Sequence, residues 1–239
     1  MHKYKKNFLT LALVAARKNS KRLKNKNFIK IKGIPIIQKA VDLGIELSEI
    51  DYVILSSDSK KILSIAKNNK KLIKLHRNKN LASEKTPMLP VMQNAVIYFE
   101  KKFNTKIDKL ILLDPTAPLR NKNDILEAIN LFKRKRPDLV ISANETKYNP
   151  YFNLLERCKK NKKFFNIVKK LKSKKEVGST QSAPEVLHMN CIVWIYSRKA
   201  LFVEKKRIPK KTIVYKTPIQ RSFDIDTKED LYKLRYYLQ

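Results

Sequence analysis

Cationic, amide and hydroxyl side chains follow the first apolar run of the chain. The run from Phe8 to Ala15 is typical of a buried strand, and the segment from Ala15 to Asn27 is rich in lysine, arginine, asparagine and serine. Open α/β sheets bind ligands beyond the carboxyl ends of their strands, and these side chains are suitable donors to phosphate oxygens. The segment therefore predicts a polyphosphate site, although a solvated basic turn would have the same composition. The glycine patterns of P-loops and of dinucleotide-binding turns do not occur in it.

A pair of carboxylates near the other end of the chain provides a second kind of chemistry. In an extended segment, residues i and i+2 point to the same face, so Asp224 and Asp226 project together while Ile225 faces the core. Two neighbouring carboxylates are suitable ligands for Mg²⁺. The alternative is that they only precede a helix, since Thr227 and Asp230 have the spacing of a capping box. That alternative explains Thr227 and Asp230 but leaves the paired acids upstream unexplained.

The chain between these two segments alternates between short apolar runs and stretches of helical periodicity. The apolar runs predict strands at residues 8–15, 52–56, 72–75, 109–113, 139–143 and 191–196. Helical spacing predicts helices at about 36–47 and 123–134, at the C-terminus, and after Thr86, with Thr86 as N-cap and Pro87 as the first helical residue. Repeated strand and helix units predict an α/β fold with a mostly parallel sheet and helices on both faces.

Residues 148–181 interrupt this alternation. Their aromatic side chains alternate with lysine runs, and no clear strand and helix unit is present. Because exposed aromatic residues need a partner surface to bury them, the segment is predicted to be an inserted arm that forms a dimer contact. No repeat or low-complexity linker divides the rest of the chain, so residues 1–239 are predicted to form a single domain that carries this insertion.

The formal net charge of +33 would allow binding to nucleic acid, membrane surfaces or other polyanions. The lysines are spread along the whole chain, however, and their excess over arginine, with abundant asparagine and scarce glycine, is typical of an AT-rich coding bias. We therefore favour a solvated surface over a nucleic-acid-binding one. Two cysteines without a CxxC pattern indicate neither a disulfide framework nor a zinc site, and no apolar run reaches the ~18 residues of a membrane span. A soluble cytoplasmic protein with free thiols is expected.

Four stretches, taken together and in this order, resemble the acylneuraminate cytidylyltransferases, which are the CMP-sialic acid synthetases. They are Arg17 to Asn27, Leu112 to Arg120 (Leu-Leu-Asp-Pro-Thr-Ala-Pro-Leu-Arg), Asn149 to Asn153, and Asp224 to Thr227. Asn80 to Pro90 and Gln181 to Asn190 extend the similarity over nearly the whole chain. The resemblance implies a Rossmann-like nucleotidyltransferase fold, CTP and Mg²⁺ as requirements, and a homodimer in which the inserted arm helps close the sugar pocket of the partner.

The resemblance also implies roles for individual residues. Triphosphate binding is expected from Arg17, Asn19, Ser20, Lys21, Lys26, Asn27 and Arg77. Arg17 and Lys21 are expected to take part in catalysis together with Asp226, and Asp224 and Asp226 are expected to hold the metal. Substrate contacts are expected from Asp114, Gln181 and Asn190.

Three positions depart from the pattern of that family. Asp114 stands where its sialate-using members usually have glutamine, so the identity of the sugar is left open. Cys191 stands where glycine is common, and Thr180 stands where an arginine often precedes the position of Gln181. A basic contact to the carboxylate of the substrate is therefore either missing or supplied elsewhere.

These observations predict a cytidylyltransferase that joins CMP to a nine-carbon, or an eight-carbon, α-keto acid sugar. The anomeric hydroxyl would attack the α-phosphorus of CTP, and pyrophosphate would leave with its charge neutralised by Mg²⁺ and the cations of the loop. Two alternatives are kept. A nucleotidyltransferase of another sugar or of a phosphorylated alcohol would share the fold, whereas a catalytically silent nucleic-acid-binding protein would bind RNA with a steep salt dependence and release no pyrophosphate.

Overall fold

The described chain, residues 9–18, 22–171 and 176–238 of a computed structural model, forms a central sheet with helices packed against it. Its strands are β1 (Leu9–Ala15), β2 (Lys30–Ile31), β3 (Ile34–Pro35), β4 (Tyr52–Ser57), β5 (Leu72–His76), β6 (Ile107–Leu112), β7 (Leu139–Glu145), β8 (Leu155–Arg157), β9 (Phe165–Ile167), β10 (Leu187–Ser197) and β11 (Thr212–Lys216). Its α-helices are α1 (Ile36–Glu46), α2 (Lys60–Leu63), α3 (Met88–Phe103), α4 (Lys122–Lys135) and α5 (Lys228–Tyr237). Two 3₁₀ turns (Lys26–Phe28 and Lys79–Leu81) and a π-helix (Ala200–Glu204) lie between them. None of the helices within the described ranges is long and apolar enough to cross a membrane.

Seven strands form the central sheet in the order β11-β7-β10-β6-β1-β4-β5. Strand β1 pairs in parallel with β4 and β6, β4 with β5, and β11 with β7, whereas β10 is antiparallel to both of its neighbours. The sheet is therefore mostly parallel, and this prediction is confirmed. The strand order reverses at β1, because β4 and β5 lie on one side of it and β6 lies on the other. Open α/β sheets bind ligands at the carboxyl ends of the strands at such a point.

The two faces of the sheet bury separate hydrophobic clusters. Along β1, Ala12 and Val14 belong to the cluster that contains the inner faces of α1, α2 and α4, whereas Leu11 and Leu13 belong to the cluster that contains the inner face of α3. This division follows from the two-residue period of a strand, which points successive side chains to opposite faces. The predicted α/β architecture with helices on both faces of the sheet is confirmed.

Two local predictions differ from the structure. Helix α3 begins at Met88 with Pro87 at the N-cap position, so the prediction that Thr86 caps this helix was wrong. The hydroxyl of Thr86 instead donates to the carbonyl oxygen of Asn80 at 3.0 Å, which ties it to the preceding turn. The edge strand β11 is absent from the prediction, because its short run of apolar residues is flanked by lysines and has no strong strand pattern of its own.

The inserted segment at residues 148–181 contains, in its described part, a small antiparallel hairpin formed by β8 and β9. Large apolar side chains on and around this hairpin are exposed, among them Tyr148, Leu155, Phe164 and Phe165. Exposure of this kind is consistent with a surface that another chain covers. The dimer contact itself stays a prediction, as does the division of the chain into one domain with an insertion.

Candidate active site

The carboxyl ends of β1, β5 and β6 meet at a cavity of about 320 Å³, which we call the first cavity. Ala15 ends β1, Arg77 directly follows β5 and Asp114 lies two residues after β6, and all three line this cavity. The loop after β1 and Asp226 contribute further lining side chains. The first cavity therefore lies where the strand order of the sheet reverses.

Four cationic side chains line the first cavity: Arg17, Arg22, Lys26 and Arg77. Arg77 is buried, and its Nε has no hydrogen-bond partner among the described residues. Burial lowers the pKa of Arg77 below its ordinary value, while the carboxylate of Asp58 opposes this change and the charge of Arg17 adds to it. Guanidinium groups stay protonated at neutral pH, so Arg77 is a buried cation with an unused donor. An anion in the cavity would stabilise it.

A buried amide holds the backbone of the loop after β1. Asn27 donates from Nδ2 to the carbonyl oxygen of Arg17 at 2.7 Å, and the backbone N–H of Lys18 donates to Oδ1 of Asp58 at 2.8 Å. Asn27 lines the cavity, and its amide also positions the backbone of Arg17, whose guanidinium lines the same cavity. The other triphosphate ligands predicted in this loop, Asn19, Ser20 and Lys21, lie outside the described residues.

Asp226 brings a carboxylate from the C-terminal part of the chain to these cations. Its Oδ1 lies 2.7 Å from Nζ of Lys26, and its Oδ2 lies 3.0 Å from Nη1 of Arg22. Thr227 and Asp230 form a reciprocal capping box at the start of α5, so the capping pattern in the sequence is confirmed. The side chain of Asp226 takes no part in that cap, because both of its carboxylate oxygens bind cations of the loop.

Asp224 lies deeper than Asp226 and is not among the described residues that line the first cavity. Ile225 between them is fully buried, and its N–H donates to the carbonyl oxygen of Thr116 at 2.9 Å, which holds the segment against the loop after β6. Oδ1 of Asp224 is buried without a hydrogen-bond partner among the described residues. Burial, reinforced by the charge of Asp114, raises the pKa of Asp224 to about 6. Oδ2 of Asp224 accepts a hydrogen bond from the thiol of Cys191 at 3.8 Å, so Oδ1 is the atom of this buried carboxylate that would gain from a cation beside it.

The two carboxylates have the chemistry that a Mg²⁺ ion needs when it is shared with phosphate groups. Mg²⁺ commonly takes only one or two protein carboxylates and completes its shell with substrate phosphates and water. Within the described ranges no group of three or more acidic, histidine or cysteine side chains is placed to hold a metal alone. The unpartnered Oδ1 of Asp224 and the exposed part of Asp226 therefore fit a phosphate-bound Mg²⁺, whereas a metal held by protein ligands alone does not fit.

Asp114 is fixed by its own loop. Its Oδ1 accepts hydrogen bonds from the N–H and the hydroxyl of Thr116, at 3.0 and 2.8 Å. The buried guanidinium of Arg120 donates to the carbonyl oxygens of Asp114 and Ile192, at 2.8 and 2.7 Å, and so ties this loop to β10. Burial lowers the pKa of Arg120 to about 10. The sequence shows Arg120 only as part of a motif. Its role is visible in the structure alone, because the carbonyl oxygen of Ile192 that it binds lies 72 positions away in the chain.

A second cavity of about 360 Å³ adjoins the first, because Met88 and Asp114 line both. Apolar residues of α3 and β6 form much of its wall, and β10 contributes Cys191, Trp194 and Tyr196. Arg207 completes the lining from the segment after the π-helix. Trp194 and Arg207 are absent from the site residues predicted from the sequence. The one feature that could have indicated Trp194 is its place on the same strand as Asn190. Arg22 was also missed, although it lies within the basic loop.

Two residues that were predicted to contact substrate lie elsewhere. Asn190 is buried, and its Nδ2 lies 2.8 Å from Oγ1 of Thr217, 3.0 Å from Oγ of Ser222 and 3.1 Å from Oδ1 of Asn144. This network holds the irregular part of β10, where the pairing with β7 shifts register. Gln181 is exposed in a turn and is not among the described residues that line the two cavities. Substrate contact by either residue stays a prediction.

Comparison with known proteins identifies relatives of this chain over most of its length. A family model described as Cytidylyltransferase matches residues 11–237. The CMP-N,N'-diacetyllegionaminic acid synthase of Campylobacter jejuni is 33% identical over 221 residues, which cover 92% of this chain and 91% of that protein. A Campylobacter coli protein named post-translational flagellin modification protein B is 32% identical over 221 residues, which cover 92% of this chain and 91% of that protein.

The solved structures include one with the same fold. The structure of a CMP:2-keto-3-deoxy-manno-octonic acid synthetase, which is complexed with CTP, superposes with a TM-score of 0.61 and covers 95% of this chain and 97% of that one. Its sequence identity of 14% supports the fold alone. Both the sequence relatives and the sheet topology therefore place the chain among nucleotidyltransferases. The family match spans all the elements of the central sheet except the start of β1, and the chain belongs to the cytidylyltransferase family.

Proposed function

We propose that this enzyme transfers CMP from CTP to the anomeric hydroxyl of a nonulosonic α-keto acid sugar and releases pyrophosphate. The observation that carries the proposal is that four cations and the carboxylate of Asp226 meet at the first cavity, beside a second cavity that shares Asp114 with it. The name of the C. jejuni relative, a synthase of CMP-N,N'-diacetyllegionaminic acid, supports this class of acceptor. The particular sugar is left open, because Asp114 departs from the residue that is usual in sialate-using enzymes.

The triphosphate of CTP would lie in the first cavity. Arg77 supplies a buried cation with an unused donor, and Arg17 is positioned by Asn27. Lys26 and Arg22 are bound to Asp226 in the structure and would exchange part of that contact for phosphate oxygens. Lys21, Asn19 and Ser20 are proposed to complete the phosphate contacts, since charge-assisted hydrogen bonds suit a polyanion.

We further propose that Asp224 and Asp226 hold a Mg²⁺ ion that arrives with the nucleotide. A bound Mg²⁺ neutralises charge on the phosphates and on the departing pyrophosphate. The residues of the chain provide the rest of the catalysis through position and charge: the loop cations hold the triphosphate, and the second cavity holds the acceptor with its hydroxyl towards Asp114, where the two cavities meet. The oxygen of that hydroxyl forms the new bond to the α-phosphorus as the bond to pyrophosphate breaks, and the proton of the hydroxyl is released to water.

We also propose the assembly and the location that the sequence predicts. A homodimer, with residues 148–181 as the arm, would bury the exposed Phe164 and Phe165. A cytoplasmic location is proposed from the free cysteines Cys158 and Cys191 and from the substrate CTP.

The proposal is tested by measuring pyrophosphate release with CTP and a panel of nonulosonic acids, an eight-carbon α-keto acid sugar and a phosphorylated alcohol. We expect release with CTP and at least one nine-carbon acid, and little with ATP, GTP or UTP. Release with only the phosphorylated alcohol would favour another nucleotidyltransferase. Release with none of them, together with salt-dependent RNA binding, would favour the nucleic-acid-binding alternative.

A further inference from the structure

The second cavity contains very little charge. Among the described residues that line it, Arg207 is the one cation and Asp114 is the one acid. Tyr196 is neutral at physiological pH, because burial raises its pKa to about 12. The remaining lining side chains are apolar or aromatic. A carboxylate that entered this cavity would therefore find one group to neutralise it.

Arg207 is held in place by contacts with β10. Its guanidinium carbon lies 5.4 Å from the centroid of the Trp194 ring, and its carbonyl oxygen accepts a hydrogen bond from the hydroxyl of Tyr196 at 2.9 Å. Lys205, in the left-handed region with φ of 50°, ends the π-helix and turns the chain towards this position. The hydrogen bond fixes the backbone at Arg207, and the ring contact places its guanidinium at one wall, so less conformational freedom is lost when a ligand binds.

The donors of Arg207 are available to a ligand. No ion pair joins Arg207 to a carboxylate within the described ranges, whereas Arg17, Arg22 and Arg198 each have one. The side chain is exposed to solvent, so a substrate can reach it. A guanidinium presents paired N–H donors in a plane, and these match the two oxygens of a carboxylate.

We propose that Arg207 binds the carboxylate of the acceptor sugar and thereby selects α-keto acids over neutral sugars of the same size. This inference rests on the proposed function, since it assumes that the acceptor occupies the second cavity. It also accounts for the missing arginine at Thr180, because a cation from another part of the chain supplies the contact. Apolar contact with Trp194 would orient the sugar, and the ion pair with Arg207 would fix its carboxylate end.

The test compares Arg207→Met, which keeps an apolar stem over Trp194, with Arg207→Lys, which keeps the charge. Arg235→Met is the matched control, because Arg235 also lies over a ring, 5.9 Å from the centroid of Tyr232, but on α5 outside the second cavity. The control is needed since the net charge of +33 attracts any anionic sugar. For each protein, KM and kcat are measured for CTP, for the acid and for its methyl ester.

We expect Arg207→Met to raise KM for the acid by about 10- to 100-fold, the loss that removal of one charged hydrogen-bonding partner causes. KM for CTP should change by less than about twofold, and Arg207→Lys should lie between wild type and Arg207→Met. The preference of wild type for the acid over the ester should fall to near one in Arg207→Met. A merely structural role would change the acid and the ester equally.

The outcomes separate this inference from the proposed function. Unchanged KM for the acid in folded Arg207→Met, or the same change in Arg235→Met, would overturn the role of Arg207 while leaving the proposed function standing. If wild type uses the ester as well as it uses the acid, the proposed role of Arg207 is overturned without any variant. This comparison therefore holds even if Arg207→Met does not fold. Wild type that releases no pyrophosphate with any α-keto acid would overturn both.

Discussion

The ammonium group of Lys26 lies 2.7 Å from a carboxylate oxygen of Asp226, although 200 positions separate the two residues in the chain. Arg22 approaches the other oxygen of the same carboxylate at 3.0 Å. The pair joins the loop after the first strand of the sheet to the segment before the last helix. Two cations face one carboxylate here, so one positive charge stays unbalanced before a nucleotide binds, and a triphosphate with its metal would redistribute these charges.

Lys26→Met tests the part of this contact that faces the nucleotide. We expect KM for CTP to rise by about 10- to 100-fold, because a charge-assisted contact to phosphate is lost. The free energy of unfolding should change little, since Asp226 keeps its contact with Arg22. Kinetics with varied CTP and denaturant unfolding measure the two effects. Lys122→Met is the control, because the exposed Lys122 binds Glu46 at the same distance of 2.7 Å but lies outside the first cavity.

Asp226→Asn and Asp224→Asn test the proposed metal ligands. We expect Asp226→Asn to abolish turnover and Asp224→Asn to impair it, because asparagine keeps the shape of the side chain but loses the charge that holds a cation. Turnover measured against Mg²⁺ concentration at matched thermal stability is the readout. If the two acids served only as helix caps, each substitution would instead cost about 1 kcal/mol of stability and leave catalysis intact. Asp108→Asn is the control, because Asp108 pairs with the buried Lys109 and lies outside both cavities.

Asp224 should also make the stability of the metal-free protein depend on pH. Its pKa is raised from 3.8 to about 6, so between these values the unfolded chain releases a proton that the folded protein keeps. The free energy of unfolding should therefore fall as the pH rises from 4 to 6, by on the order of 2 to 3 kcal/mol. Asp224→Asn should be more stable than wild type at pH 7.5, with the difference vanishing near pH 4. Denaturant unfolding of both proteins across this pH range measures the effect. Equal pH profiles for the two proteins would show that burial of Asp224 does not lower the free energy of unfolding.

The arm at residues 148–181 should place two chains together. Light scattering at working concentration is expected to give the mass of a dimer, because Phe164 and Phe165 are exposed in the single chain and need a partner surface. Charged substitutions at both positions should shift the protein towards monomer without lowering the thermal stability of the central sheet. A monodisperse monomer in wild type would contradict the predicted dimer contact.

Local signals in the sequence were sufficient for the sheet and for part of the first cavity. The strands near β1 are continuous apolar runs, as expected for strands buried on both faces. Ile225 is fully buried, as predicted, whereas the shared direction of Asp224 and Asp226 stays a prediction. The capping box at Thr227 was also readable, because its partners lie within one turn. The loop residues 19–21 were named from resemblance and stay predictions.

Contacts between distant segments could not be predicted in the same way. The second cavity forms only when α3, β10 and the segment of Arg207 pack together, and no local pattern marks Arg207 as part of it. Thr86 has the local features of an N-cap, but its hydroxyl binds a carbonyl oxygen of the preceding turn. Asn190 resembles a substrate ligand by position, yet its amide lies within a buried network with three other segments.

Transfer of CMP to an α-keto acid sugar can be followed by ³¹P NMR of the reaction with CTP, Mg²⁺ and a nonulosonic acid. We expect the three phosphorus signals of CTP to be replaced by one phosphodiester signal and that of pyrophosphate, in equal molar amounts. The same reaction with Asp226→Asn should leave CTP unchanged. If wild type leaves CTP intact with every α-keto acid, or converts it only to CDP and phosphate, the enzyme does not transfer CMP to such sugars.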